Sequence, residues 1–202
     1  MTSHAEAAHA HHGPPPANRS SRLDPATLGM FLFIASEAML FGSFFTAYFF
    51  VRVVTPTADA WPPDPFELPV FVAGVNTVIL VTSSFTMHWA VQSIRRGNRA
   101  GLKAGLVLTI LLGLAFLLTQ AIEYAHVGFN TGDRAFGSVF FGLTGLHGGH
   151  VFIGLSLLVF SAIRSFRGHF SPEHYHGVEI SGIYWHFVDI MWIVVYTSIY
   201  LL

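Results

Sequence analysis

From Leu28 to Val54 the chain reads LGMFLFIASEAMLFGSFFTAYFFVRVV. The stretch holds one carboxylate, Glu37, and one cation, Arg52, near its far end. As a helix rising about 1.5 Å per residue it exceeds the roughly 30 Å hydrocarbon core of a bilayer. A membrane offers no water to unpaired backbone groups, so a run this long and apolar spans as a helix. Four further runs have the same character, at about 68–94, 101–125, 136–163 and 183–202. The links between them are short and rich in Gly, Pro and charge. One of them, PTADAWPPDP at 56–65, cannot be helical throughout. A transmembrane β-barrel needs short alternating segments, whereas these runs are continuous. The sequence therefore predicts an all-α integral membrane bundle of five transmembrane helices.

The composition agrees. Of 202 residues, 52% are hydrophobic and only 10% are charged, with a formal net charge of −1. A soluble domain has about 25% charged residues, because it must cover itself with polar side chains. The mean hydropathy is +0.56. These proportions exclude an ordinary soluble enzyme and a disordered chain. The lack of a basic excess excludes a nucleic-acid partner. With no cysteine there is no disulfide, thiolate metal site or iron–sulfur cluster. Residues 1–24 stand apart. They are rich in Ala, His, Pro and Ser, contain Pro14 to Pro16 in a row and have no apolar segment. They read as a disordered tail, and its His4, His9, His11 and His12 read as solvated. The domain organisation is thus a tail at 1–24 and a transmembrane domain at 25–202.

Lysine and arginine give the orientation. Arg19, Arg22, Arg95, Arg96, Arg99, Lys103, Arg164 and Arg167 all fall on one side of a five-span chain. The other side has Arg52 and Arg134, accompanied by Asp59, Asp64, Glu67 and Asp133. The expected arrangement has the N-terminus inside and the C-terminus outside.

Ionisable groups within the spans are the candidates for function, since each is costly in a bilayer. Glu37 lies about ten residues into the first span. Ionised, it needs a cationic or multi-donor partner; otherwise it stays protonated. A neutral interhelical hydrogen bond, a protonatable site or a lipid-headgroup neighbour fits the position. His147 and His150 are three residues apart on one helical face, among Gly145, Gly148, Gly149 and Gly154. Such pairs can ligate haem or metal, but ligation needs further ligands on facing helices. Glycines argue instead for close helix packing, so packing or lipid contact is the reading taken. His186 and Asp189 are also three apart and can pair, near the inner surface by the predicted span. Glu123 and His126 end the third span, where water is expected to reach them. His88 reads as interfacial, Tyr184, Trp185 and Trp192 as interfacial or interhelical aromatics, and Met39, Met87 and Met191 as packing. No phosphate loop, nucleophile elbow or zinc-protease pair is present, so no residue is assigned as catalytic or as a metal ligand.

Four blocks together carry a resemblance that runs from about Leu28 to the C-terminus. They are Ser36-Glu37 with its following aromatics, Gln120-Ala-Ile-Glu123-Tyr124, Gly145-Leu-His147-Gly-Gly-His150-Val-Phe-Ile-Gly154, and Tyr184-Trp185-His186-Phe187-Val188-Asp189 with Trp192 and Tyr196. In this order the chain resembles subunit III of the haem–copper oxygen reductases, the cytochrome c oxidase subunit III family, in its five-helix bacterial form. The resemblance implies an accessory, non-redox subunit of a proton-pumping terminal oxidase in a bacterial plasma membrane. The haems and copper would sit in partner subunits I and II, with no cofactor on this chain itself. It would contact subunit I directly, bind structural phospholipid in a cleft and support proton uptake. Small subunits and a respiratory supercomplex are further partners of that kind. Glu37 matches the family's intramembrane carboxylate. His147, His150, His186, Asp189 and Glu123 match its recurrent polar positions, the proton- and lipid-related candidates. Glu37 and the 183–200 block lean to the cytochrome c branch, aa3-type.

Related alternatives are subunit III of a quinol oxidase and the accessory protein of a nitric oxide reductase. Rivals of a different class are an independent proton-coupled transporter, with Glu37, His147 and His150 as relay, and a structural assembly factor. A transporter would often show repeat symmetry, and five spans do not divide into equal halves.

Overall fold

A computed structural model describes residues 24–54, 68–132 and 134–202. Residues 1–23 of the expected tail and the 56–65 link lie outside the described residues. Five long helices are present: α1 Pro25–Val54, α2 Val70–Arg95, α3 Arg99–His126, α4 Arg134–Phe166 and α5 His176–Tyr196. A π-helical turn, Thr197–Leu201, continues α5. All five are long and apolar enough to cross a membrane, and no strand occurs among the described residues. The five-helix expectation holds.

Local chemistry sets the helix ends. α2 stops at Gly97, whose φ of +78° suits a residue without Cβ. The amide of Asn98 donates to the Ser93 carbonyl and that of Gly97 to the Ile94 carbonyl, the paired closure of a Schellman turn. Asn98 then caps α3 by accepting from the Gly101 amide at 2.9 Å. The same device ends α4, where Gly168 has φ +77° and His169 donates to the Arg164 carbonyl. Within the apolar helices, hydroxyls bond to carbonyls of the preceding turn. Ser36 donates to Phe33, Ser43 to Leu40 and Thr46 to Gly42, so these three are not left unpaired in lipid.

Helices α2, α3, α4 and α5 form a closed ring in chain order, with α5 returning to α2. Helix α1 lies outside the ring, on α4 and α5. Burial follows: half of the most apolar window of the α5 span is buried, against 6% for α1. The core holds Trp185, Trp192, Tyr184, Phe41, Phe116, Phe136 and Phe140. Trp185 wedges between two glycines. A Cβ on Gly113 would lie 2.5 Å from its ring, and one on Gly154 would lie 2.9 Å away.

One boundary needs correction. The fifth span begins at His176, not near 183. Its first two turns look loop-like because they carry Gly177, Glu179, Ser181 and Gly182. Glu179 and Ser181 each have a partner on another helix: Glu179 pairs with Arg95, and Ser181 Oγ meets Ser161 Oγ at 2.9 Å. The shift puts His186 and Asp189 near the middle of the span, not one to two turns inside it.

The second and third spans lie directly against each other. They are the most extensively packed pair in the bundle. A Cβ on Gly105 would lie 2.7 Å from Ala90 Cβ, so no lipid-sized cleft separates α2 from α3 at that depth.

Candidate functional site in the membrane interior

Glu37 on α1 reaches His150 on α4, with 2.8 Å between Oε2 and Nε2. The other imidazole nitrogen, Nδ1, lies 2.7 Å from the Leu146 carbonyl of its own helix. A carbonyl oxygen only accepts, so Nδ1 carries a proton. A single further proton then lies between Nε2 and the carboxyl. Held on nitrogen, it gives imidazolium and carboxylate; held on oxygen, it gives a neutral acid donating to a neutral ring. Either state has no net charge, which is what a bilayer tolerates. The side chains are 19% (Glu37) and 8% (His150) exposed. The Phe41 ring covers the histidine at 4.9 Å between centroids. This pairing joins two residues that the sequence marked separately.

His147, three residues before His150, faces the ring interior. It is buried, and neither nitrogen has a partner among the described residues. Trp192, Phe116 and Phe41 surround it with ring centroids at 5.0, 5.8 and 6.5 Å. Aromatic walls this close leave no room for a macrocycle.

The expected His186–Asp189 pair does not form among the described residues. His186 Nδ1 is 2.9 Å from Ser84 Oγ on α2. Asp189 is buried, and its Oδ1 has no partner among the described residues. Both side chains instead turn toward α2, where the Ser84 hydroxyl that meets His186 also bonds the Asp189 carboxyl.

Glu123 departs from expectation as well. It is buried, not open to water. Its Oε1 accepts from the Tyr200 hydroxyl at 3.0 Å. Neighbouring Tyr124 donates to Thr144 Oγ1 at 2.6 Å. The third helix is one turn from its end there, but the final π-helical turn folds across it. His126 is exposed, as expected. His88 is exposed and meets Gln92 at 2.8 Å.

The six candidates therefore occupy separate places: Glu37 and His150 at α1–α4, His147 inside the ring, His186 and Asp189 at α2–α5, and Glu123 under the last turn. Among the described residues no hydrogen bond or ion pair joins one place to another. Sequence reasoning missed Ser84, Tyr200 and the hydroxyls that serve the two buried indoles. Trp185 Nε1 donates to Ser83 and Trp192 Nε1 to Thr77, both at 2.9 Å. The signal was available: the indoles recur seven residues apart on α5, and hydroxyls recur six apart on α2.

Comparison with known proteins gives a consistent result. A family model described as cytochrome c oxidase subunit III matches residues 19–202. Cytochrome c oxidase subunit 3 of Gallus gallus is 45% identical over 181 residues, covering 85% of this chain and 67% of that protein. The Cyprinus carpio protein of the same name is 42% identical over 198 residues, covering 94% and 72%. The Rattus norvegicus protein is 41% identical over 181 residues, covering 85% and 67%.

Proposed function

The chain belongs to the cytochrome c oxidase subunit III family, and from that premise we propose that it is the non-redox accessory subunit of a cytochrome c-linked, aa3-type terminal oxidase. As a family member it is a multi-pass membrane protein that assembles with other oxidase subunits. The finer reading is that it packs against subunit I, stabilises it, holds phospholipid and supports proton uptake. The positive collar orients it with the N-terminus inside, in a bacterial plasma membrane.

The observation that carries the reading is the Glu37–His150 pair. It is an exchangeable proton held at mid-depth in a net-neutral couple, on the flank of the least buried helix. That arrangement suits a subunit that feeds or buffers protons beside a neighbour. The histidines do not suit redox metal ligation. His147 is walled by aromatic rings, His150 is engaged by Glu37 and Leu146, and His186 by Ser84. Haem and copper therefore belong, in this reading, to the partner subunits.

Purification through an affinity tag on this chain in mild detergent tests it. The expected product is a coloured complex that contains haem a, copper and a larger histidine-rich subunit. A colourless chain that moves protons alone in liposomes would overturn the reading in favour of a transporter. Haem o with no copper-binding cysteine pair in a neighbour would move it to the quinol branch.

A further inference from the structure

Helices α2, α3 and the end of α4 frame a groove of about 540 Å³ on the ring's outer wall. Its floor is one stripe of α3: Lys103, Ala104, Val107, Leu108 and Leu111, at helical spacings of three and four. Trp89 of α2 and Phe166 of α4 form its sides. From Lys103 to Leu111 the stripe runs about 12 Å along the helix, close to the depth of one leaflet, roughly 15 Å.

The groove has charge at one end only. Lys103 Nζ stands 5.3 Å from the centroid of the Phe166 ring, at the mouth. It makes no ion pair among the described residues. Arg99, one turn earlier, adds a second cation on the same face. This end of the bundle carries Arg95, Arg96, Arg99, Lys103, Arg164 and Arg167 against Glu173 and Glu179. Glu179 is already held by Arg95. The α3 N-terminus adds the positive end of a helix dipole. A basic head, a flanking indole at interfacial depth and an apolar floor one leaflet long describe one kind of occupant.

We propose that this groove binds an anionic phospholipid, with its phosphate at Lys103 and an acyl chain along Val107, Leu108 and Leu111. The proposal rests on the reading that the chain holds phospholipid, and it names the site and the headgroup class. The site lies on the α2–α3 wall, away from α1 and the Glu37–His150 pair.

The test uses the purified oxidase complex. It is depleted of lipid, exposed to equal amounts of phosphatidylglycerol and phosphatidylcholine, washed, and assayed for lipid retained on this subunit by native mass spectrometry. The wild-type complex should prefer phosphatidylglycerol by about fivefold, the weight of one cation against an anionic head. Lys103→Gln should remove most of that preference and Lys103→Glu all of it. Leu108→Trp, which fills the floor, should lower retention of both lipids while leaving the charge in place. Retained lipid with the same preference in all three variants overturns this site but leaves lipid binding elsewhere intact. No retained lipid of either class on the wild type overturns both. A photo-crosslinker at Leu108 that labels a partner subunit's helix instead of lipid also overturns the site.

Discussion

Glu37 Oε2 and His150 Nε2 share one hydrogen-bonding proton across 2.8 Å. The consequence differs between two substitutions. In Glu37→Gln the side-chain amide donates to Nε2 of a neutral imidazole, while Nδ1 still donates to Leu146. The hydrogen bond survives and the exchangeable proton does not. The complex should assemble with unchanged thermal stability, and proton uptake or the number of turnovers before inactivation should fall. In Glu37→Leu the ring nitrogen loses its partner within the bundle. An orphaned buried polar group costs about 1–3 kcal/mol, so this variant should also lower the melting temperature of the complex. Equal proton uptake and lifetime in wild type and Glu37→Gln would reduce the pair to a packing contact. Glu37 was visible in the sequence because a lone carboxylate in an apolar run is conspicuous. Its partner was not, since 113 residues separate the two and no local periodicity spans that distance.

At the scale of elements, small residues decide how closely helices approach. Trp185 sits against Gly113 of α3 and Gly154 of α4, and its Nε1 is satisfied by Ser83 of α2. One indole thus touches three neighbouring helices of the ring. A methyl group at position 154 meets the ring at 2.9 Å, tighter than real Cβ contacts, whereas one at position 149 meets nothing within 4 Å. Gly154→Ala should therefore destabilise by about 1–3 kcal/mol through overpacking. Gly149→Ala should be neutral or gain up to about 1 kcal/mol of helix propensity. Thermal unfolding of the two variants in the same detergent checks this, and equal melting temperatures would contradict the wedge. The sequence suggested close packing from the glycines of α4 as a group. It did not separate Gly154, which faces Trp185, from Gly148 and Gly149, which face open space, because all three sit in an equally apolar helix. The same limit explains the misplaced start of α5. Gly177, Glu179 and Ser181 resemble a loop until Arg95 and Ser161 on other helices satisfy them. Polar groups paired across a bundle leave no trace in hydropathy.

For the whole molecule, the four-helix ring and the appended α1 make a division that the five hydropathy peaks do not show. All five spans read alike by length and apolarity, yet their burial rises from 6% to 50%. Polar ties between α1 and the ring among the described residues include Glu37 to His150, Tyr48 to the Ser198 carbonyl at 3.0 Å, and Arg52 to the Leu202 carbonyl. Two of these three end in the last five residues, so the C-terminal turn fastens α1. Apolar packing adds to them, such as Phe44 against Gly142. In lipid such packing has no hydrophobic drive between helices, so the polar ties should matter more than their number suggests. The absence of cysteine makes this directly measurable. In Phe44→Cys with Gly142→Cys, the introduced thiols are the only ones in the chain, and a short bismaleimide should join them within one subunit in high yield. Adding Glu37→Leu and Tyr48→Phe removes two of these named ties, at a cost of about 1–3 kcal/mol for the orphaned imidazole alone. The cross-link yield should then drop and its rate should slow, while a thiol pair placed across α2 and α3 should react as before. Unchanged α1–α4 cross-linking in that background would show that apolar packing alone holds α1 to the ring.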